Sequence, residues 1–142
     1  IVAAVHAGWR GTVNRILTKT LHRMQSAYGT EGTDVIACIG PGISLDSFEV
    51  GDEVYEAFRT ENFPMEYISV WKPETHKYHI DLWAANRLQL SDFGVPPRQI
   101  ENAGICTYRQ HEDFFSARRL GIKSGRILSG IMLNGQEKEE RK

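Results

Sequence analysis

The chain opens on a five-residue apolar run (residues 1–5, IVAAV), which reads as a buried strand. Beyond it, Val13, Ile16, Leu17, Thr20, Leu21 and Met24 recur at spacings of three and four. This predicts one face of a long helix, capped by Thr12 and stopped at Gly29. Residues 35–39 (VIACI) are continuously apolar and β-branched, a second buried strand broken by Gly40, Pro41 and Gly42. A short strand fits 47–50, and Val54, Tyr55 and Phe58 then share a helix face. Residues 60–78, interrupted by Pro64 and Pro73, read as a long loop with one strand at 67–71. Asp81 starts another helix, with Leu82, Ala85 and Leu88 inward, ending before Gly94. A strand near Ile105 and a last one at 126–133 close the pattern. Helices and strands interleave, so the class is α/β or α+β, with a sheet packed on helices.

The composition narrows the function. The chain has 142 residues, with 41% hydrophobic and 25% charged, which suits one globular domain and excludes a disordered or fibrous chain. Lys plus Arg number 17 against 18 for Asp plus Glu, so no basic excess points to nucleic acid. The opening run is far short of the roughly 20 apolar residues that span a bilayer, so no membrane partner is expected. Two cysteines, Cys38 and Cys106, make no disulfide framework, and a cytoplasmic location is expected. A core strand at the first residue is unusual, because termini usually lie at the surface, and the chain reads as part of a larger domain. Residues 136–142 (QEKEERK) read as a charged, disordered tail.

Chemistry concentrates at the first junction. His6 stands at the carboxyl end of the opening strand, and Gly8 and Gly11 flank Trp9 and Arg10 before the helix. Glycines there let the backbone bend and approach a ligand, and a helix start favours an anion. His6 suits a metal ligand or general base, and Arg10 suits a phosphate or carboxylate. The same residues also suit a plain turn, with Trp9 in the core and Arg10 in a surface salt bridge. His76, His79 and Asp81 are close in sequence, but a structural zinc site wants four ligands and none accompany them, so both histidines read as solvated. His22 and His111 carry no signal. Cys38 reads as a small hydrophobe in a buried strand. Cys106, at a strand end, is a candidate for lining the site. The loop of Gly40, Pro41 and Gly42 is only a loose phosphate cradle. Ser116, Arg118 and Arg119, after an aromatic pair, form a candidate anion site or a solvated basic turn.

Taken together, these segments resemble the YfiH-like family. The resemblance is carried by AVHAGWRG at residues 4–11, then by Ile39, Gly40 and Pro41, and by Phe48, Glu49 and Val50. Asp81 and Leu82 follow, then Cys106 and Thr107, and finally Phe114, Phe115 and Ser116 with Arg118, Arg119, Gly125 and Arg126. It runs from residue 1 to about 133. The family is variously labelled laccase-domain protein, polyphenol oxidase, purine nucleoside phosphorylase and peptidoglycan editing factor. Its fold implies α+β, with layered sheets packed face to face and helices outside. Residues 1–135 would be the C-terminal part of that domain.

The resemblance also implies a His, Cys, His metal site. Its first two ligands belong to an N-terminal half absent from this sequence, and only the last matches, at His6. Neither Cys38 nor Cys106 matches the ligand cysteine. A laccase needs several copper centres and typically His-x-His pairs, whereas this chain has five histidines and no such pair. A single site better suits zinc, with copper as the alternative. The resemblance therefore implies phosphorolysis of purine nucleosides with phosphate, adenosine deamination as a companion, and His6 as metal ligand and catalytic residue. Substrate would be held by Trp9, Arg10, Ser116, Arg118 and Arg119. Copper-dependent oxidation of phenols is the rival enzymatic reading, and a non-catalytic partner domain in peptidoglycan editing is the rival of another class.

Overall fold

The computed structural model describes residues 1–134. Helix α1 (Trp9–Val13) and helix α2 (Ile16–Tyr28) come first, followed by strand β1 (Ala37–Ile39) and strand β2 (Glu49–Val50). Helix α3 (Asp52–Thr60) and helix α4 (Met65–Ile68) lead into the hairpin of β3 (Ser69–Lys72) and β4 (Lys77–Ile80). Helix α5 (Leu82–Asp92), strand β5 (Ile100–Asn102) and helix α6 (Ala117–Leu120) complete the order. The class is α+β. β1 and β5 pair in parallel, and β2, β4 and β3 form an antiparallel sheet with β4 in the middle.

Helix α5 joins two apolar cores. Its first half, Leu82 and Ala85, packs into a cluster with Phe48, Val50, Val54, Phe58, Ile68 and Ile80. Its second half adds Leu90 to Leu21, Val95 and Ile100. Asp81 begins this helix as expected, its Oδ1 accepting from the Ala84 amide at 2.9 Å, which satisfies one otherwise orphaned donor. The two polar residues α5 buries are both employed. Gln89 Oε1 accepts from the Thr18 hydroxyl at 3.0 Å, and its amide nitrogen donates to the Thr12 carbonyl at 3.3 Å. Asn86 Nδ2 donates to Thr12 Oγ1 at 3.1 Å and to the Leu82 carbonyl at 2.8 Å. These bonds lock α5 onto the junction of α1 and α2.

Several sequence expectations change. Residues 1–5 form no strand: Ile1 is 55% exposed, and no described strand pairs with the segment. The long first helix is two helices, and Thr12 lies inside α1 rather than capping it. Arg15 breaks the run in the left-handed region (φ 57°). Its guanidinium stacks on Phe63 at 3.8 Å and donates to the Glu61 carbonyl at 2.9 Å, tertiary contacts that offset the unfavourable backbone. Gly29 does end α2, also left-handed, at φ 69°.

β1 is buried on one face only. Ala37 and Ile39 pack on the second core, while Cys38 is exposed and Ile36 is 83% exposed. Residues 45–47 are a 3-10 turn, so the strand expected at 47–50 shrinks to β2. The expected 60–78 loop holds α4 and a two-stranded hairpin whose second strand, β4, was hidden by its polar residues. Near Ile105 there is only an isolated bridge between Gly42 and Cys106, and the strand lies earlier, at β5. Residues 126–134 have no regular structure, and Leu128 and Met132 are largely exposed. With no strand among the described residues beside them to take up backbone hydrogen bonds, β-branched residues alone do not make a strand. The tail at 136–142 lies outside the described residues.

Candidate functional site

The His6 segment is held from behind. Thr12 Oγ1 donates to the Ala7 carbonyl at 3.1 Å and is itself held by Asn86, so α5 fixes the backbone immediately after His6. The imidazole is exposed and folds back over Gly8, where a Cβ would sit 3.1 Å from Nε2. A Cβ on Gly11 would lie 3.3 Å from the His6 carbonyl oxygen. Both glycines thus permit a close approach. Trp9 packs against the first core, and the Arg10 guanidinium lies 4.3 Å from the centre of its indole. Arg10 therefore stacks, and it makes no salt bridge among the described residues. His6 has no hydrogen-bond partner among the described residues, which leaves its ring nitrogens free to ligate. No three His, Cys, Asp or Glu side chains are grouped for a metal among the described residues. The chain thus fits a metal site as the donor of one imidazole.

A second assembly lies elsewhere. Asp46, Ser47, Glu49, His79, Tyr108, Arg109, Arg118 and Arg119 line an open cleft of about 500 Å³. The 3-10 turn supplies Asp46 and Ser47, β2 supplies Glu49, β4 supplies His79, and α6 supplies the arginine pair. Arg118 donates to the Glu49 carbonyl at 2.7 Å, its guanidinium 5.3 Å from the Phe48 ring. Arg119 lies 5.1 Å from the ring of Tyr108. Arg109 pairs with Asp46 at 3.3 Å, and Glu49 lies 4.0 Å from Lys77. Each carboxylate of the cleft therefore has a cation beside it. Arg118 and Arg119 have no carboxylate partner among the described residues, so the cleft carries a positive surplus suited to an anion.

The remaining predicted residues fall as follows. Ser116 is buried and caps α6, its Oγ accepting from the Arg119 amide at 3.3 Å, so it orients the arginine pair from beneath. Cys106 stands behind Ser47, outside the cleft lining. The Ser44 hydroxyl donates to its sulfur at 3.1 Å and the Ser44 amide at 3.4 Å, with Ser47 Oγ at 3.6 Å. Burial pushes the thiol up, but these hydrogen bonds outweigh it and bring the pKa down to about 7. His6, Trp9 and Arg10 are not among the cleft's lining residues.

His79 is the main correction. It is 8% exposed rather than solvated, because the antiparallel sheet turns it inward, whereas His76 is exposed in the hairpin turn with φ 51°. Sequence reasoning also missed Asp46, Ser47, Glu49, Tyr108 and Arg109 as members of one site. They come from two distant stretches, 46–49 and 108–109, and only the pairing of β2 with β4 brings Glu49 opposite His79.

A family model described as a multi-copper polyphenol oxidoreductase laccase matches residues 1–134. The chain belongs to this laccase-domain, YfiH-like family. It is 65% identical over 133 residues to a protein named purine nucleoside phosphorylase from Bacteroides thetaiotaomicron, covering 94% of this chain and 49% of that protein. It is 50% identical over 131 residues to adenosine deaminase RL5 from an unknown prokaryotic organism, covering 92% of this chain and 50% of that protein. The crystal structure of YlmD from Geobacillus stearothermophilus aligns with a TM-score of 0.71 at 34% identity, over 81% of this chain and 43% of that one. The chain spans about half the length of the curated relatives it matches. No helix of the described residues is long and apolar enough to cross a membrane.

Proposed function

We propose that this chain is the C-terminal half of a cytoplasmic purine nucleoside phosphorylase, with adenosine deamination as a companion activity. The observation that carries the reading is the pair of guanidiniums without carboxylate partners among the described residues, Arg118 and Arg119, in a chain with several curated relatives named purine nucleoside phosphorylase. In that reaction a phosphate oxygen bonds to C1′ of the ribose as the C1′–N bond to the purine breaks. The bond's electrons leave with the base, which takes up a proton. Arg118 and Arg119 would hold the phosphate. Their placement against Phe48 and Tyr108 means little side-chain freedom is lost on binding.

His6 would contribute one imidazole to a zinc-type site, with the other two ligands supplied by an N-terminal half. When bound, the ion supplies Lewis-acid polarisation, which suits hydrolytic loss of ammonia from adenosine. Trp9 and Arg10, next to His6, would form the wall against the nucleoside. The 50% identity to a protein named adenosine deaminase favours that companion reaction. Copper in the same site would support oxidation of phenols as a secondary activity.

The test is an inosine-plus-phosphate assay on the intact protein, run with metal analysis of the same sample. Release of hypoxanthine and ribose 1-phosphate, lost in His6→Ala and with a raised KM for phosphate in Arg118→Ala, is the expected result. Phenol oxidation with about one copper per chain and no base release would overturn it.

A further inference from the structure

The functional reading leaves one buried residue of the cleft without a role. The His79 ring lies on β4 with its side chain 10% exposed, and Nδ1 is 3.0 Å from the Leu45 carbonyl oxygen. A carbonyl only accepts, so Nδ1 carries the proton and donates. That single bond decides what the rest of the ring can do. Nε2 is the variable nitrogen, a lone pair in the neutral ring and a second N–H in the charged one. It has no hydrogen-bond partner among the described residues. Glu49 Oε2 lies 3.8 Å from it, beyond hydrogen-bond range, and that carboxylate also has Lys77 at 4.0 Å.

Three cations (Arg109, Arg118 and Arg119) and two carboxylates (Asp46 and Glu49) line the cleft with His79, and Lys77 lies beside Glu49. An anion drawn in by the arginines therefore reaches a preset donor-or-acceptor nitrogen on a rigid strand. A phosphate group matches this well. As the dianion it accepts from a charged Nε2–H, and as the monoanion it can donate its own proton to a neutral Nε2. We propose that His79 is a phosphate-contacting residue of the arginine cleft, binding through Nε2 together with Arg118 and Arg119. This rests on the reading of the cleft as the phosphate site.

Two substitutions separate contact from scaffolding. In His79→Asn the side-chain amide can take the place of Nδ1 and keep the bond to Leu45, but nothing remains at Nε2. In His79→Gln the amide reaches the Nε2 position and gives up the Leu45 bond. Titration calorimetry of the intact protein with inorganic phosphate should show affinity weakened about tenfold or more in His79→Asn. His79→Gln should recover part of it. Unchanged affinity in His79→Asn would make His79 a buried strut and overturn the inference.

A readout on the parent protein guards against a variant that fails to fold. The 15N resonance of His79 Nε2 should move on titration with phosphate, and a resonance that stays still while phosphate binds overturns the proposal. So does a parent protein that binds no phosphate. Phosphate binding that shifts Nε2 without any phosphorolysis sustains the inference and removes the functional reading. Phosphorolysis with an unmoved His79 does the reverse.

Discussion

Stability should rise with pH between about 7 and 9 because of one thiol. Cys106 is 5% exposed and accepts hydrogen bonds from the Ser44 hydroxyl and amide, which favour the thiolate. Its pKa falls from the ordinary 9.0 to about 7 in the fold. Between those values the unfolded chain holds a proton that the folded protein has released, so raising the pH stabilises the fold. The slope is about 1.4 kcal/mol per pH unit, and two units give about 2–3 kcal/mol as an upper bound. The gain is complete above the unfolded pKa and is lost as the pH falls through the folded one. Urea denaturation at intervals from pH 6 to 9.5 measures it. Cys106→Ser serves as the reference, since serine does not titrate here and every other group cancels in the difference. The parent curve should climb relative to the serine variant by a kilocalorie or more across the window. Parallel curves would refute the reasoning, because hydrogen bonds that fail to hold a thiolate cannot link it to folding.

Three further outcomes follow from the packing. Gly32→Ala would place a Cβ 2.5 Å from the Gly94 carbonyl oxygen and 2.7 Å from that of Phe93. Both are backbone atoms that cannot swing away, so a loss of about 1–3 kcal/mol or more is expected in the denaturation midpoint. Thr12→Val removes the hydroxyl that joins Asn86 to the Ala7 carbonyl. It should cost about 1–3 kcal/mol by denaturation and also lower turnover, because the segment behind His6 loses its tie. Gly8→Ala would press a methyl to 3.1 Å from His6 Nε2. Metal content should fall while thermal stability stays close to the parent's, since His6 is exposed and its displacement disturbs no core.

What could be read from the chain was what its local chemistry controls. Asp81 accepts from an amide three residues on, and Gly29 reverses its own backbone, so both ends were visible in sequence. The helix face of Val54 and Phe58 and the inward Leu82 and Ala85 followed from a period that any helix must obey. His6 and Arg118 with Arg119 stood out because unusual residues clustered within a few positions.

The tertiary structure decided the rest. Arg15 broke a helix that periodicity ran through, because Phe63 and Glu61, far along the chain, hold its guanidinium. Residues 1–5 and 126–133 have strand-like composition without strand structure, since a strand exists only where another supplies hydrogen bonds. His79 looked solvated among polar neighbours, yet pairing β4 between β2 and β3 buried it in a cleft that three arginines also line. Residue types and short spacings are properties of the sequence. Which side chains share a cleft depends on register between distant segments, and that is set only when the core packs.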